Sequence, residues 1–461
     1  MKKVGHILFV AVVMLACVVP AAGMLILGPS EAAGNEVLNP PPQLIMPDGS
    51  PNQDFLSDAA DYFSDHFAFR QELVTAESVM KSSLFATSAQ TDVALGKNGW
   101  LYYAETLDDY TGADVLTPRQ AYCAAHSLAL VQDYVQARGG TFAFTIAPNK
   151  VSIYPEYLAG DLGAAMVEYA APLVETLVQQ NVAYIDLFSA LTEQKEILDS
   201  LNHLDEPLYF TLDSHWTNKG AALGHDRLME GLGLSGNAYE KAGEYRLTHR
   251  GDLHEMLYPA SDRLDWEFEF QEPLAFEYAT PIRSVDDLRI QTTSNSPNPP
   301  LLMFRDSFGN ALHALMAESF SQATFSRAVP YNLTMAEQIG AQYVVLEIVE
   351  RNLPRLAQGE FLMPAPQTNF TENAERLDAA IALESEPAGN LSEYMRVTGQ
   401  ADVACDPDSP VYVWAGGTAY EAFPASDGGE EVRFNLYLPE GAEVESVLFR
   451  RGGQWVITET A

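Results

Sequence analysis

The stretch Leu301-Leu302-Met303-Phe304-Arg305-Asp306-Ser307-Phe308-Gly309-Asn310 predicts a strand, a polar turn and the start of a helix. Its first four residues are apolar, as in a short buried strand, and residues 311–316 continue with helical spacing. A serine at such a junction can act as a nucleophile. The turn exposes its hydroxyl, and the helix N-terminus offers free N–H groups to an oxyanion.

A serine hydroxyl needs a base, and that base needs an orienting carboxylate. Upstream, Thr211-Leu212-Asp213-Ser214-His215-Trp216 places an aspartate and a histidine two residues apart. In an extended segment both can face the same side. We therefore predict Ser307 as nucleophile, His215 as general base and Asp213 as orienting carboxylate. Each motif alone is also consistent with a simpler role. Asp213-Ser214-His215 could be a polar surface loop, and Asp306 or Ser307 could be a helix N-cap.

A metal site is the alternative use of the same region. Asp213, His215 and His225 carry oxygen and nitrogen ligands that suit zinc or manganese. The spacing contains no His-x₃-His or His-Glu-x-x-His pattern, so we predict neither a metal nor a cofactor.

The charge balance excludes some function classes. The 461 residues carry a formal net charge of −37. Non-specific nucleic-acid binding depends on basic patches, and docking on anionic lipid needs positive charge. We therefore expect no nucleic-acid partner, and we interpret the acidic surface as solubilising.

The cysteines define no disulfide framework. Cys17 lies in the N-terminal apolar segment, which leaves Cys123 and Cys405 for the rest of the chain. The sequence leaves open whether these two form a disulfide, because pairing requires their Cα atoms to be close in space.

The N-terminus predicts a membrane segment. Lys2 and Lys3 precede an uncharged, mostly apolar run over residues 7–27, which can just span a bilayer as a helix with the N-terminus inside. We interpret residues 1–30 as an uncleaved signal anchor. A cleaved signal peptide and a lipoprotein signal ending at Cys17 remain alternatives. Each of the three places the bulk of the protein outside the cytoplasmic membrane. Residues 31–54, rich in proline, glycine and asparagine, predict an extended tether.

The remaining pattern predicts an α/β fold. A helix over residues 118–138, a strand over 141–147, a helix over 165–180 and a strand over 182–186 follow one another, and apolar strands recur at 301–304 and 343–348. This alternation is typical of a parallel sheet covered by helices on both faces, with sites at the carboxyl ends of its strands. We assign residues 55–400 to this domain and residues 401–461 to a small β-rich module.

An ordered set of motifs resembles the DHHW/AlgX–AlgJ proteins, SGNH-hydrolase-like proteins linked to O-acetylation of exopolysaccharides such as alginate. The resemblance covers roughly residues 55–355. It rests on the two site motifs together with Asp65-His66-Phe67-Ala68-Phe69-Arg70, Gly96-Lys97-Asn98-Gly99-Trp100-Leu101, Ala147-Pro148-Asn149-Lys150, Gly251-Asp252-Leu253 and Glu350-Arg351-Asn352. This sequence departs from the family at two positions. Ser214 stands where the DHHW motif, after which the family is named, has histidine, and Arg305 is larger than the residue expected before Asp306.

The resemblance implies an SGNH-hydrolase-like domain in which the triad is permuted, because Asp213 and His215 precede Ser307. It implies an extracytoplasmic O-acetyltransferase that passes an acetyl group through Ser307 to a polysaccharide acceptor. A membrane-bound O-acyltransferase would supply the acetyl group. An acetyl esterase with the same triad and a non-catalytic, glycan-binding scaffold of a polymer-export complex are the alternatives. As oxyanion or substrate-binding residues we name Asn149, Lys150, Gly251 and Arg305.

Overall fold

The computed structural model describes residues 2–32, 38–113, 115–160, 169–203 and 205–459. Within these ranges the helices are α1 Lys2–Leu27, α2 Phe55–His66, α3 Arg70–Phe85, α4 Glu105–Thr111, α5 Pro118–Gln136, α6 Lys150–Ile153, α7 Ala171–Gln179, α8 Leu187–Ser200, α9 Asn218–Gly231, α10 Asp252–Leu257, α11 Gly309–Ser319 and α12 Met335–Ile339. Short 3-10 helices cover Lys97–Gly99, Pro155–Tyr157 and Glu350–Gln358.

The strands of the described residues fall into two large sheets and three small pairs. They are β1 Val93–Leu95, β2 Leu101–Tyr103, β3 Thr141–Ala147, β4 Tyr184–Ile185, β5 Gly243–His249, β6 Asp265–Phe270, β7 Phe276–Tyr278, β8 Arg289–Ser294, β9 Leu301–Phe304, β10 Gln322–Ser326, β11 Tyr331–Asn332, β12 Tyr343–Val349, β13 Phe361–Leu362, β14 Gln367–Thr368, β15 Glu375–Arg376, β16 Ala382–Pro387, β17 Tyr394–Ala404, β18 Val411–Ala415, β19 Thr418–Ala425, β20 Glu431–Pro439, β21 Val444–Arg451 and β22 Gln454–Glu459.

The central sheet has the strand order β4-β3-β12-β9-β10-β8-β7. Neighbouring strands from β4 to β10 are parallel, and β8 and β7 extend the sheet as antiparallel strands at one edge. The predicted α/β fold with a parallel sheet is therefore confirmed. The strand β9 lies between β12 and β10, so the turn that carries Ser307 leaves the middle of the sheet.

Strand β9 shows why the sheet strands are apolar throughout. Leu301 and Met303 join a core that includes side chains of α8, α9 and α11. Leu302 and Phe304 join a second core on the opposite face, with α5, α7 and α12. Because successive side chains of a strand point to opposite faces, a sheet covered on both sides needs apolar residues at every position.

The start of helix α5 agrees with the sequence prediction, whereas the start of helix α7 does not. Thr117 caps α5 through a reciprocal pair of hydrogen bonds with Gln120, so the helix begins where its capping signal predicts. The second helix, α7, begins at Ala171 rather than at residue 165, and residues 165–168 lie outside the described residues. The strand predicted over residues 182–186 is shorter, covering Tyr184–Ile185.

The C-terminal region is a second sheet with the order β15-β22-β21-β18-β19-β20-β17-β16, and β14 pairs with β19. Its first strand, β14, begins at Gln367, ahead of residue 401, and the boundary at residue 401 stays a prediction. The early strands were missed because they are short or exposed. The side chains of β16 are largely solvated and show no apolar alternation.

Helix α1 is long and apolar enough to cross a membrane over Val4–Leu27. Its existence agrees with the predicted N-terminal segment, whereas cleavage of this segment stays a prediction. The question of the disulfide has a clear structural answer. Cys123 and Cys405 are both buried free thiols, and burial raises the pKa of the Cys123 thiol to about 12.

Candidate active site

The turn after β9 is held in place by the side chain of Asp306. Its Oδ1 accepts a hydrogen bond from the backbone N–H of Phe308 at 3.0 Å. Its Oδ2 accepts from the backbone N–H of Val349 at 2.8 Å and from Nδ2 of Asn352 at 2.9 Å. The carboxylate therefore ties the Ser307 turn to the end of the neighbouring strand β12.

The turn leads directly into α11, which starts at Gly309. A Cβ at this position would lie 2.6 Å from Cβ of Arg305 and 2.9 Å from Oε2 of Glu347. Contacts this short are not tolerated, so the residue that opens the helix must be glycine for the turn to close this tightly. Ser307 itself is half-buried, two residues before the start of the helix.

A second loop, residues 208–217 before α9, carries the other predicted site residues. The ammonium group of Lys150 is buried and donates to the backbone carbonyls of Phe210, Thr211 and Asp213, at 3.1, 3.3 and 2.6 Å. Burial lowers the pKa of Lys150 to about 8. At the far end of the loop, Nε1 of Trp216 donates to the Phe308 carbonyl at 3.0 Å, which joins the loop to the serine turn.

These two loops bring Ser307, His215 and Asp213 together. The Oγ of Ser307 lies 2.9 Å from Nε2 of His215. The Nδ1 of His215 lies 2.7 Å from Oδ1 of Asp213, whose side chain is almost fully buried. A serine hydroxyl, an imidazole and a buried carboxylate in this order have the arrangement that a nucleophilic triad requires, and the catalytic role of the three residues stays a prediction.

The charges of the site favour an ionised Asp213. Burial on its own would raise the pKa of this carboxyl, but charge and hydrogen bonds from His215 and His249 hold it well below its usual range. Burial would lower the pKa of His215, and the carboxylates of Asp213 and Asp252 overcome this and raise it. The guanidinium of Arg351, which lies 5.4 Å from the centre of the Phe308 ring, opposes that increase.

Sequence reasoning missed two side chains that contact the triad. The Nε2 of His249 lies 2.9 Å from Oδ2 of Asp213, and its ring stacks on Phe210 at 3.8 Å. The Oδ2 of Asp252 lies 3.6 Å from Nδ1 of His215. The motif Gly251-Asp252-Leu253 pointed to this neighbourhood, but nothing in the local sequence marks His249.

Ser214, the departure from the name-giving motif, belongs to the same network. Its hydroxyl donates to Oδ2 of Asp252 at 2.7 Å and lies 3.2 Å from Nδ1 of His215. Its backbone N–H donates to Oδ1 of Asp252 at 2.8 Å. The serine thereby fixes Asp252 beside the imidazole.

The four predicted oxyanion or substrate-binding residues all make contacts with the protein. Asn149 is buried and bonds to Asp109 and Glu350, and Lys150 holds the 210–213 loop. A Cβ on Gly251 would lie 2.5 Å from the Leu212 carbonyl oxygen, so this glycine permits close packing against that loop. Arg305 is buried, and its guanidinium bonds to Asn310 and to the Val285 carbonyl. A direct role of these residues toward an oxyanion stays a prediction.

Three carboxylate and imidazole side chains of this site also lie close together. One ligand atom each from Asp213, His215 and Asp252 lies within 4.8 Å of the others, close enough to share an ion. His225, the third ligand of the sequence-based alternative, instead bonds to Ser319 and Asp226. The Nε2 of His215 faces the Ser307 hydroxyl, as a general base requires.

A second chain of serine, histidine and aspartate lies between α9 and α11. Ser319 Oγ lies 2.8 Å from Nε2 of His225, whose Nδ1 lies 2.8 Å from Oδ1 of Asp226. The Ser319 hydroxyl, however, donates to the Leu315 carbonyl of its own helix at 2.9 Å. It follows no strand-to-helix turn, so we assign it a packing role. It offers a matched control for Ser307.

The mostly parallel sheet, the serine at the end of a central strand and the Asp-x-His loop define an SGNH-hydrolase-like α/β domain. Comparison with known proteins agrees. Residues 93–292 match the family described as "SGNH hydrolase-like domain, acetyltransferase AlgX", a segment that contains Asp213 and His215 and ends before Ser307.

Individual relatives are distant. The probable alginate O-acetylase AlgJ of Pseudomonas putida is 24% identical over 209 residues, which are 43% of this chain and 50% of the relative. The chain therefore matches about half the length of that protein. These similarities confirm the resemblance to the AlgX–AlgJ proteins.

Solved structures with similar folds include Bacillus cereus PatB1 with a sulfonyl adduct, at 15% identity and a TM-score of 0.43, covering 57% of this chain and 96% of that one. The O-acetyltransferase domain of Pseudomonas putida AlgJ has 20% identity and a TM-score of 0.38, with coverage of 57% and 92%. A DHHW family protein from Eubacterium siraeum has 15% identity and a TM-score of 0.40, with coverage of 56% and 95%.

Proposed function

We propose that this protein is an extracytoplasmic, serine-dependent O-acetyltransferase that acts on a cell-surface or secreted polysaccharide through an acyl-serine intermediate. The observation that carries the proposal is the chain from Ser307 Oγ through His215 to Asp213, with separations of 2.9 and 2.7 Å. The match to the AlgX acetyltransferase family and the likeness to the probable alginate O-acetylase support it.

In the first step, the Ser307 oxygen attacks the carbonyl carbon of an acetyl donor while His215 Nε2 takes the hydroxyl proton. The negative charge that develops on the carbonyl oxygen is stabilised by the N-terminus of α11, which begins two residues after Ser307. The tetrahedral intermediate then collapses. The bond to the leaving group breaks, His215 returns the proton to that group, and an acetyl ester remains on Ser307.

In the second step, a sugar hydroxyl takes the place of the leaving group. His215 accepts its proton, the sugar oxygen attacks the acetyl carbonyl, and the ester bond to Ser307 breaks as the serine regains a proton from His215. If water attacks instead, the same residues hydrolyse the donor. Transfer and hydrolysis therefore differ only in which hydroxyl reaches the acyl-enzyme.

Helix α1 supports the extracytoplasmic location in this proposal. A membrane-spanning α1 with the lysines of the N-terminus on the inside would hold the α/β domain outside the cytoplasmic membrane. The acetyl group would then have to cross the membrane, and we propose a membrane-bound O-acyltransferase as its source.

The test uses the full-length protein in detergent with a chromogenic acetyl ester as donor and neutral or acidic oligosaccharides as acceptors. We expect acetylated oligosaccharide with wild type and with Ser319→Ala, and none with Ser307→Ala or His215→Ala. Acetate release that depends on Ser307, without any acetylated sugar, would identify an esterase. Equal inertness of all four proteins with this donor would remove the support for the triad and favour the non-catalytic scaffold.

A further inference from the structure

A cavity of about 490 Å³ lies at the carboxyl ends of β3, β4 and β12, on the side of the sheet away from the β10 edge. Asp186, directly after β4, and Glu350, directly after β12, both line it. Open α/β sheets bind ligands at this edge. The triad occupies only the part of the edge that follows β9, so this cavity is not used by the proposed reaction.

The lining of the cavity is acidic and aromatic. Among its described residues there is no lysine, arginine or histidine. The carboxylates of the lining belong to Glu175, Asp186 and Glu350. Its aromatic rings belong to Tyr110, Tyr169, Tyr184 and Phe188. Carboxylates and aromatic rings in one lining can attract a positively charged organic group, because the ring quadrupole and the carboxylates both favour a cation.

Glu350 is a buried carboxyl group in the lining of this cavity. Its side chain is 3% exposed, and its Oε2 accepts hydrogen bonds from the Asn149 backbone N–H at 2.8 Å and from Ser152 Oγ at 2.6 Å. None of the hydrogen bonds from described residues reaches its Oε1, and the residue belongs to the lining of the cavity. Burial raises the pKa of this carboxyl to about 7.

A hydrogen-bond donor of a ligand could pair with Oε1 of Glu350. Buried polar groups are normally paired, and a carboxylate without a partner is costly. An anionic ligand would face three carboxylates. A bare divalent metal ion needs several oxygen ligands at short distance, which a cavity of this volume with aromatic walls does not supply. The volume instead fits a small organic molecule.

We propose that this cavity binds a small organic ammonium ion, a primary amine or a quaternary ammonium, with Glu350 as its counter-charge and the ring of Phe188 among its walls. This site is distinct from the Ser307 centre and does not depend on the proposed acetyl transfer. The counter-charge and the rings act on the same cation, so the loss of either weakens binding.

The experiment is calorimetric titration of the full-length protein in detergent at pH 8 with choline and with ethanolamine. The neutral isostere 3,3-dimethylbutan-1-ol has the shape of choline without its charge and serves as the ligand control. We expect saturable binding of at least one of the two cations, and affinity for the neutral alcohol at least about tenfold lower.

Glu350→Gln is the first variant, because its amide oxygen can still accept the bonds from Asn149 and Ser152. We expect it to weaken cation binding about tenfold. Phe188→Leu removes a ring and keeps apolar bulk, and it should weaken binding several-fold even if the first variant folds poorly. Glu196→Gln, an exposed position on α8 outside the cavity, is the matched control and should bind as wild type does.

Ser307→Ala should bind the cation normally, which separates this inference from the fate of the proposed function. The inference is overturned if neither cation binds, or if the neutral alcohol binds equally well. It is also overturned if both Glu350→Gln and Phe188→Leu retain full affinity.

Discussion

His249 Nε2 lies 2.9 Å from Oδ2 of Asp213, on the carboxylate oxygen that His215 does not use. The same oxygen accepts the backbone N–H of Asp252 at 2.9 Å. The other oxygen, Oδ1, accepts from both the ring and the backbone N–H of His215. The carboxylate is thus held by four donors, and its plane, which sets the orientation of His215, is fixed by residues from two separate loops.

Replacing His249 should therefore impair the reaction through Asp213. We expect His249→Ala to lower kcat for ester turnover by about ten- to a hundredfold with little change in KM, since the imidazole of His215 loses its fixed orientation. His249→Gln keeps an N–H donor and should recover part of the rate. Steady-state kinetics with a chromogenic acetyl ester gives both constants. A purely structural role would instead show as equal losses in the two variants, or as a change in KM alone.

The pH dependence of the proposed reaction should follow His215, because an imidazole accepts a proton only when it is neutral. The carboxylates of Asp213 and Asp252 raise its pKa above the ordinary 6.5. Activity should therefore be low at acidic pH and increase through a midpoint above 6.5. Removing a negative charge by Asp252→Asn weakens the stabilisation of the imidazolium, so the midpoint should move to lower pH.

The measurement for this prediction is kcat/KM for the ester between pH 5 and pH 9, which reports the free enzyme. Asp408→Asn, in the C-terminal region, is the control and should leave the midpoint in place. A midpoint that stays fixed or moves upward in Asp252→Asn would contradict the assigned electrostatics.

The Asp306 carboxylate should be a major determinant of the stability of the turn. Asp306→Ala leaves the N–H groups of Phe308 and Val349 without their acceptor and should destabilise the protein by about 2–4 kcal/mol, at roughly 1 kcal/mol for each hydrogen bond lost. Asn352→Ala removes one of these bonds and should cost about 1 kcal/mol. Urea denaturation measures both. Equal stability of Asp306→Ala and wild type would show that the turn does not depend on this carboxylate.

Lys150 should stabilise the loop of Asp213 rather than act on substrate. Lys150→Met leaves three carbonyl oxygens without their shared donor, and we expect a loss of about 2–4 kcal/mol together with reduced activity. Lys195, whose ammonium pairs with Glu156 and Asp199 nearer the surface, is the matched control. Lys195→Met should cost less than about 1 kcal/mol. If Lys150→Met keeps full stability and loses only substrate affinity, the ammonium group faces the substrate instead.

The residues of the candidate site that could be predicted lie in short, continuous stretches of the sequence. Four apolar residues followed by Arg305-Asp306-Ser307 specify a strand and a turn locally, and Asp213 and His215 are close in sequence. The contact of His249 with Asp213 spans 36 residues, and His249 lies at the end of β5, which pairs with β6. No periodicity or spacing encodes such a contact, so it could only be found in the structure.

Contacts between distant parts of the sequence also explain why some strands of the C-terminal sheet were not predicted. Strands such as β18 alternate buried and half-buried side chains and were recognised from their sequence. Strand β16 at the edge of the same sheet is almost fully solvated, so its hydrophobic pattern carries no signal. Hydrogen bonding to β17, a tertiary contact, is what makes it a strand.

The central claim is that Ser307 carries the acetyl group, and the most direct test is intact mass followed by peptide mapping. Wild type, Ser307→Ala and Ser319→Ala would be mixed with an activated acetyl ester and quenched in acid at short times. We predict one added acetyl group in wild type and in Ser319→Ala, mapped to the peptide that contains Ser307, and none in Ser307→Ala. An acetyl group of equal yield in Ser307→Ala, or one mapped to another residue in wild type, would contradict the account.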